Sequence, residues 1–331
     1  MTTQTQHGAG ARQAAVHSID HYALTVPDLA VARHFHEAFG LAVESEGDGL
    51  ALRARDGHVS ARIHTGPRKA LAYLSFNCYA DDLAAIRARL EQAGVAMAAD
   101  APRATAEGLW FHDMDGNLIQ VKAGPKITPD AKSPLDNIHV DADARGARFR
   151  SQVAQVRPRR LSHVLLFTPD VSRALAFYED TLGLRLSDRS GEGIAFTHAP
   201  HGCDHHLVAF ARSSARGWHH AAWDVASIDQ VGQGAAQMAA AGYTRGWGTG
   251  RHVLGSNFFH YVRDPWGSYC EFSADIDYIS AEHEWPSGDF PPEDSLYQWG
   301  RSDRHATAVR PGRRPRRRRA RPARAAARTR D

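Results

Sequence analysis

The chain carries the same pattern of residues twice, and such duplication restricts it to folds in which equivalent units pack together. Around His21 the text reads SIDHYALTVPDLAVARHFHEAFGLAV, and around His163 it reads RLSHVLLFTPDVSRALAFYEDTLGLRL. Each copy opens on a His-bearing apolar strand that ends in Pro-Asp (Pro27-Asp28, Pro169-Asp170). Pro-Asp opens a helix, because proline suits the first turn and aspartate complements the positive helix N-terminus. Apolar residues at helical spacing follow (Ala32, Phe35, Phe39; Leu175, Tyr178, Leu182), and a glycine, Gly40 or Gly183, stops each helix.

Later segments repeat too. AYLSFNCYADDLAAIRARLEQAGV aligns with HHAAWDVASIDQVGQGAAQMAAAGY as strand, helix and Ala-Gly stop. GLWFHDMDGNLIQVKAG aligns with NFFHYVRDPWGSYCEFSAD as two strands around a tight turn, at Asp115-Gly116 or Trp266-Gly267. The expected fold is α+β, with two modules. Each is a pair of βαβββ units whose strands form a curled mixed sheet around a cleft. The boundaries that follow are 1–15 as a disordered N-terminus, 16–123 as the first module and 124–160 as a Pro-, Asp- and Arg-rich connector. Residues 161–300 form the second module and 301–331 an Arg-rich disordered tail.

Comparing the halves isolates a chemical difference. The second offers His163 on its first strand, His220 past its midpoint and Glu271 on its last strand, where the first has His21, Tyr73 and Gln120. Two imidazoles and one carboxylate form a facial triad that holds Fe(II) with open positions, whereas tyrosine and glutamine are poor substitutes. The first half is therefore expected to be metal-free, with His21 a hydrogen-bonded core residue. In the second half a buried glutamate is costly unless paired or metal-bound.

At these residues the sequence resembles the type I extradiol dioxygenases of the vicinal-oxygen-chelate superfamily, over nearly all of Ile19 to Gly300. The most specific stretch is GRHVLGSNFFHYVRDPWGSYCEF, Gly250 to Phe272. It holds His252, an aromatic strand ending in Tyr261, then Asp264-Pro265-Trp266-Gly267 and Glu271, with His260 as a departure from the family's apolar residue. The resemblance implies metal ligands His163, His220 and Glu271, with His219 as the alternative to His220. It also implies His206 as acid–base residue, with Leu207 replacing the family's aspartate and His205 as the alternative. His252 and Tyr261 are then expected to hydrogen-bond the substrate oxygens. The implied activity is Fe(II)-dependent cleavage of a catechol-type ring beside its diol, with O₂ as co-substrate, Mn(II) as an alternative metal and a homo-oligomeric assembly. The competing readings are a glyoxalase-like isomerase or lyase on the same scaffold and a non-catalytic aromatic-ligand binding protein.

Composition closes off other classes. The 331 residues are 43% hydrophobic and 23% charged, enough for two cores. No apolar run reaches the roughly 20 residues of a membrane span. Three scattered cysteines argue for a reducing cytoplasm rather than a disulfide framework. The formal charge of +3 hides an asymmetry: Arg301 to Asp331 holds thirteen arginines and two aspartates, net +11, which leaves −8 on the rest. That tail cannot bury enough apolar surface to fold. It reads as a solvated tail, as an arm for anionic surfaces, or as out-of-frame text from GC-rich DNA. Lacking interleaved aromatics, it makes nucleic acid a secondary partner at most.

Overall fold

The computed structural model describes residues 12–99, 107–136, 139–281 and 283–300, and the Arg-rich tail lies outside them. The first half builds a seven-stranded sheet from β1 (Val16–Val26), β2 (Ala42–Glu46), β3 (Gly49–Arg53), β4 (Val59–Thr65), β5 (Ala70–Cys78), β6 (Leu109–His112) and β7 (Leu118–Ala123). Their order is β2-β3-β4-β1-β5-β7-β6, so β1 and β5, the first strands of the two units, lie side by side at the centre. Helices α1 (Leu29–Phe39) and α2 (Leu83–Gln92) cross between strands. In the second unit of this half the strand after α2 shrinks, among the described residues, to one bridge between Met97 and Phe111.

The second half is fuller. It contains β8 (Arg160–Thr168), α3 (Val171–Leu182), β9 (Arg185–Ser190), β10 (Ile194–His198), β11 (Cys203–Asp204), β12 (Val208–Arg212) and β13 (Gly217–Asp224). It continues with α4 (Ile228–Ala240), β14 (Gly246–Arg251), β15 (Phe258–Arg263), β16 (Tyr269–Ala274), β17 (Tyr278–Ile279), β18 (Gly288–Asp289) and β19 (Trp299–Gly300). Ten of these strands form one mixed sheet, β18-β9-β10-β12-β8-β13-β16-β15-β14-β19, while β11 pairs with β17.

Local chemistry explains the repeated helix starts. Asp28 is the N-cap of α1 and accepts from the amides of Ala30 and Val31; Asp170 caps α3 through the amide of Arg173. The prolines therefore sit just before the cap rather than inside the first turn, a small correction that leaves the helix positions unchanged. Gly40 and Gly183 end the two helices at φ +98° and +73°, where a side chain is strained. A Cβ on Gly40 would also strike the Val156 carbonyl at 2.0 Å.

Residues 12–15 depart from the expected disorder. The Arg12 guanidinium grips the buried Asp82 carboxylate at 2.6 and 2.7 Å, and Ala15 is buried, its amide 3.5 Å from the same carboxylate. The segment 124–159 holds no strand or helix beyond a single 3₁₀ turn at Arg150–Gln152 among its described residues. The helical positions Ala32, Phe35, Phe39, Leu175, Tyr178 and Leu182 are all buried. One apolar core crosses both halves, and Phe39 stacks on Phe272 at 3.9 Å and 8°. No helix among the described residues is long and apolar enough to cross a membrane.

Candidate active site

Sheet register brings the three proposed ligands together. On β13, Ala222 pairs with His163 of β8 on one side and with Glu271 of β16 on the other. Paired residues share a face, and His220 lies two residues from Ala222, so all three point the same way. Their ligand atoms lie within 4.8 Å of one another. His163 Nε2 is 3.5 Å and His220 Nε2 is 3.3 Å from the same oxygen, Glu271 Oε2. His220 Nε2 and Glu271 Oε2 are nonetheless buried without a hydrogen-bond partner. Buried polar atoms are normally satisfied, so a cation between them fits the residues present. Burial alone raises the Glu271 pKa, but His163 and His220 outweigh it and hold the carboxyl well below the usual range.

Each of the three side chains has a support that aims it. Ser162 donates its hydroxyl to Asp204 Oδ2 at 2.6 Å, so its oxygen, 3.1 Å away, accepts from His163 Nδ1. That fixes the His163 proton on Nδ1 and frees Nε2 for a metal. Asp204 is itself held by Arg160 at 2.7 and 2.9 Å. His220 Nδ1 lies 2.6 Å from Nδ1 of His219, so His219 stands behind His220, which is the one that groups with His163 and Glu271. Glu271 Oε1 accepts from Asn257 Nδ2 at 3.0 Å. Ser162, Asp204 and Asn257 were absent from the sequence-based set. Asn257, inside the Gly250–Phe272 motif, and Ser162, next to His163 in the repeat, lay where a signal could have been sought.

Around the trio stand the other expected residues. The His206 ring is 4.0 Å from that of His163, whereas His205 turns away to Asp188 at 2.8 Å. Burial, then His163, pushes the His206 pKa well down, so its imidazole is neutral. His252 Nδ1 bonds the Leu296 carbonyl and its Nε2 lies 3.1 Å from the Tyr261 hydroxyl. Burial raises the Tyr261 pKa strongly, so it remains a phenol. Beside them opens a cavity of about 420 Å³ lined by Leu165, Phe167, Ile194, Trp247, Tyr269 and Leu296, with Glu192 and Arg212 also in its wall.

The first half shows the same geometry with its chemistry closed. Ser75 pairs with His21 and Gln120, and Tyr73 precedes it by two. Here His21 bonds Tyr73 at 2.9 Å and Asp20 at 2.6 Å, and Ser75 bonds Gln120 at 2.7 Å. These groups satisfy one another, and among the described residues they include no converging orphan pair like that of His220 and Glu271.

Comparison with known proteins agrees with this architecture. The family model described as Glyoxalase/Bleomycin resistance protein/Dioxygenase superfamily matches residues 18–121 and 160–272. Metapyrocatechase 2 of Cupriavidus necator is 62% identical over 297 residues, covering 90% of this chain and 93% of that protein. The 2,2',3-trihydroxybiphenyl dioxygenase of Sphingomonas paucimobilis is 27% identical over 284 residues, covering 80% and 89%. The crystal structure of the Mn(II)-bound glyoxalase from Novosphingobium aromaticivorans superposes with a TM-score of 0.71 at 23% identity, over 91% of this chain and 96% of that one, a likeness of fold. A duplicated βαβββ scaffold and a relative this similar over nearly its whole length leave one assignment: the chain belongs to the glyoxalase/bleomycin resistance protein/dioxygenase superfamily, and within it to the extradiol dioxygenases.

Proposed function

We propose that this chain is an Fe(II)-dependent dioxygenase that inserts both atoms of O₂ into a catechol-type diol bearing an apolar substituent, cleaving the ring beside the diol. The supporting observation is the convergence of His163, His220 and Glu271, ligand atoms within 4.8 Å, next to a largely apolar cavity. Iron(II) in such a site supplies open positions for the diol and O₂ and a path for electrons between them; Mn(II) accepts the same donors.

The protein's residues would do the rest. The His252 Nδ1 proton is committed to the Leu296 carbonyl, so Nε2 accepts from Tyr261. The phenol oxygen then presents lone pairs to a substrate hydroxyl and orients the diol. Neutral His206 takes a proton from the diol, stabilises charge building on oxygen and returns the proton. The apolar walls exclude water and favour an alkyl or aryl substituent over a carboxylate. Aromatic-compound catabolism by a homo-oligomer belongs to the same proposal, as does a cytoplasmic site, the last supported by three cysteines that are free and buried.

The test is anaerobic purification with Fe(II), followed by an oxygen-electrode screen over catechol, alkylcatechols and dihydroxybiphenyl. Oxygen uptake with a yellow ring-fission product is expected. A glyoxalase-like isomerase, a lyase or a binding protein would consume none. His220→Ala is expected to lose iron, while His206→Ala keeps it and loses at least about 10²-fold in kcat. Normal iron content and turnover in His220→Ala would overturn the ligand assignment.

A further inference from the structure

His206 is the inner end of a buried chain of hydrogen bonds. Asp188 on β9 places Oδ2 2.8 Å from His205 Nε2. The same carboxylate receives the Gly288 amide on Oδ1 at 2.9 Å and the Trp285 indole on Oδ2 at 3.4 Å. With donors on both oxygens Asp188 acts as an acceptor throughout, so His205 carries its proton on Nε2. His205 Nδ1 lies 3.1 Å from His206 Nδ1. In a neutral His205 that nitrogen is a bare lone pair, so the contact requires Nδ1–H on His206 and leaves His206 Nε2 without a proton.

Packing holds both rings in this relation. Phe196 lies 4.8 Å from the His206 ring and 5.8 Å from that of His205. On another side Gly255 comes so near that a Cβ there would sit 3.4 Å from His205 Nδ1 and 3.6 Å from His206 Cε1.

We propose that Asp188 and His205 are positioning residues that set the tautomer of His206, so that its Nε2 meets the diol as a base. This rests on the reading of His206 as the proton-transfer group. The diol O–H bond breaks as the Nε2–H bond forms, and the reverse transfer to oxygen restores the bare nitrogen. Neither Asp188 nor His205 touches the substrate; they act through the orientation and protonation pattern of their neighbour.

Asp188→Leu removes the acceptor that holds this pattern. Asparagine would not, since its carbonyl can keep the Oδ2 place, where His205 and the Trp285 indole both donate. With leucine nothing accepts from His205 Nε2, and the proton of His206 is no longer kept off Nε2. The expected result is a kcat about 10²-fold lower, with KM and iron content kept. Imidazole ¹⁵N shifts of the full chain loaded with diamagnetic Zn(II) should report Nδ1–H at His206 in the native protein and a gain of Nε2–H in Asp188→Leu. An unchanged kcat in Asp188→Leu, or Nε2–H at His206 in the native protein, overturns the proposal; the second readout holds whether or not the variant folds. If His206→Ala turns over normally, the acid–base reading itself has failed. If His206→Ala is inactive and Asp188→Leu is like native, only the tautomer proposal has.

Discussion

Glu271 is a carboxylate whose burial is costly by itself. It is fully buried, and only one of its oxygens is satisfied, by Asn257. Asn257 also bonds Ser273 at 2.9 Å, which ties the loop before β15 to the strand carrying the ligand. Removing such a support typically weakens metal binding by about 10–100-fold. Asn257→Ala is therefore expected to bind Fe(II) that much more weakly in a chelator competition; native affinity would mean the strand alone aims Glu271. The convergence of the trio was legible because the repeat supplied an internal control, His21, Tyr73 and Gln120. The supports were not, since Ser162, Asp204, Asp188 and Asn257 are common polar residues whose partners only the fold reveals, even where, as for Ser162 and His163, they are neighbours in sequence. The His219-His220 choice was open for a physical reason. His219 falls at a register shift between β13 and β8, where simple alternation no longer says which imidazole faces inward.

At the scale of elements, the two halves meet through a turn as well as through helices. The β15–β16 turn is built on Asp264, whose Oδ1 accepts the amides of Trp266, Gly267 and Ser268 at 2.8–3.0 Å. Its Oδ2 is bonded by Lys69 from the β4–β5 loop of the other half, and both side chains are buried. Breaking a buried pair leaves a charge uncompensated. Lys69→Met is expected to cost about 3 kcal/mol in urea unfolding. Adding Asp264→Asn should cost less than the two single changes combined, and full additivity would argue against coupling. The sequence motif pointed to this turn through Asp264-Pro265-Trp266-Gly267, but nothing in it announced a lysine nearly two hundred positions away. Hairpins, caps and helix faces are local and were readable. Cross-half contacts depend on the packing of two modules and were not.

For the whole molecule, the shared core and the Phe39–Phe272 stack pack the two halves against each other. Its stability should depend on acid in a specific direction. Burial pushes His17, His36 and His198 down to about 4 in the folded protein, from the ordinary 6.5. Between those values the unfolded chain binds protons that the folded one refuses, so stability falls as pH drops from 6.5 toward 4. A fully buried group with such a shift contributes on the order of 3 kcal/mol across the window. His36 sits near Lys69 and Asp264, whose opposed charges leave burial as the dominant effect. His36→Leu in metal-free protein should therefore show a shallower decline of the urea midpoint from pH 7 to 4.5; an unchanged slope would refute it.

The stretch from Trp285 to Gly300 acts as a clasp on the surroundings of the candidate ligands. It donates to Asp188 through Gly288, accepts from His252 at Leu296 and closes the sheet edge with β19 on β14. His163, His220 and Glu271 lie outside it, on β8, β13 and β16. A chain cut before Trp285 is therefore expected to hold Fe(II) in a chelator competition and to lose turnover; full turnover by the cut chain would show that the clasp is dispensable.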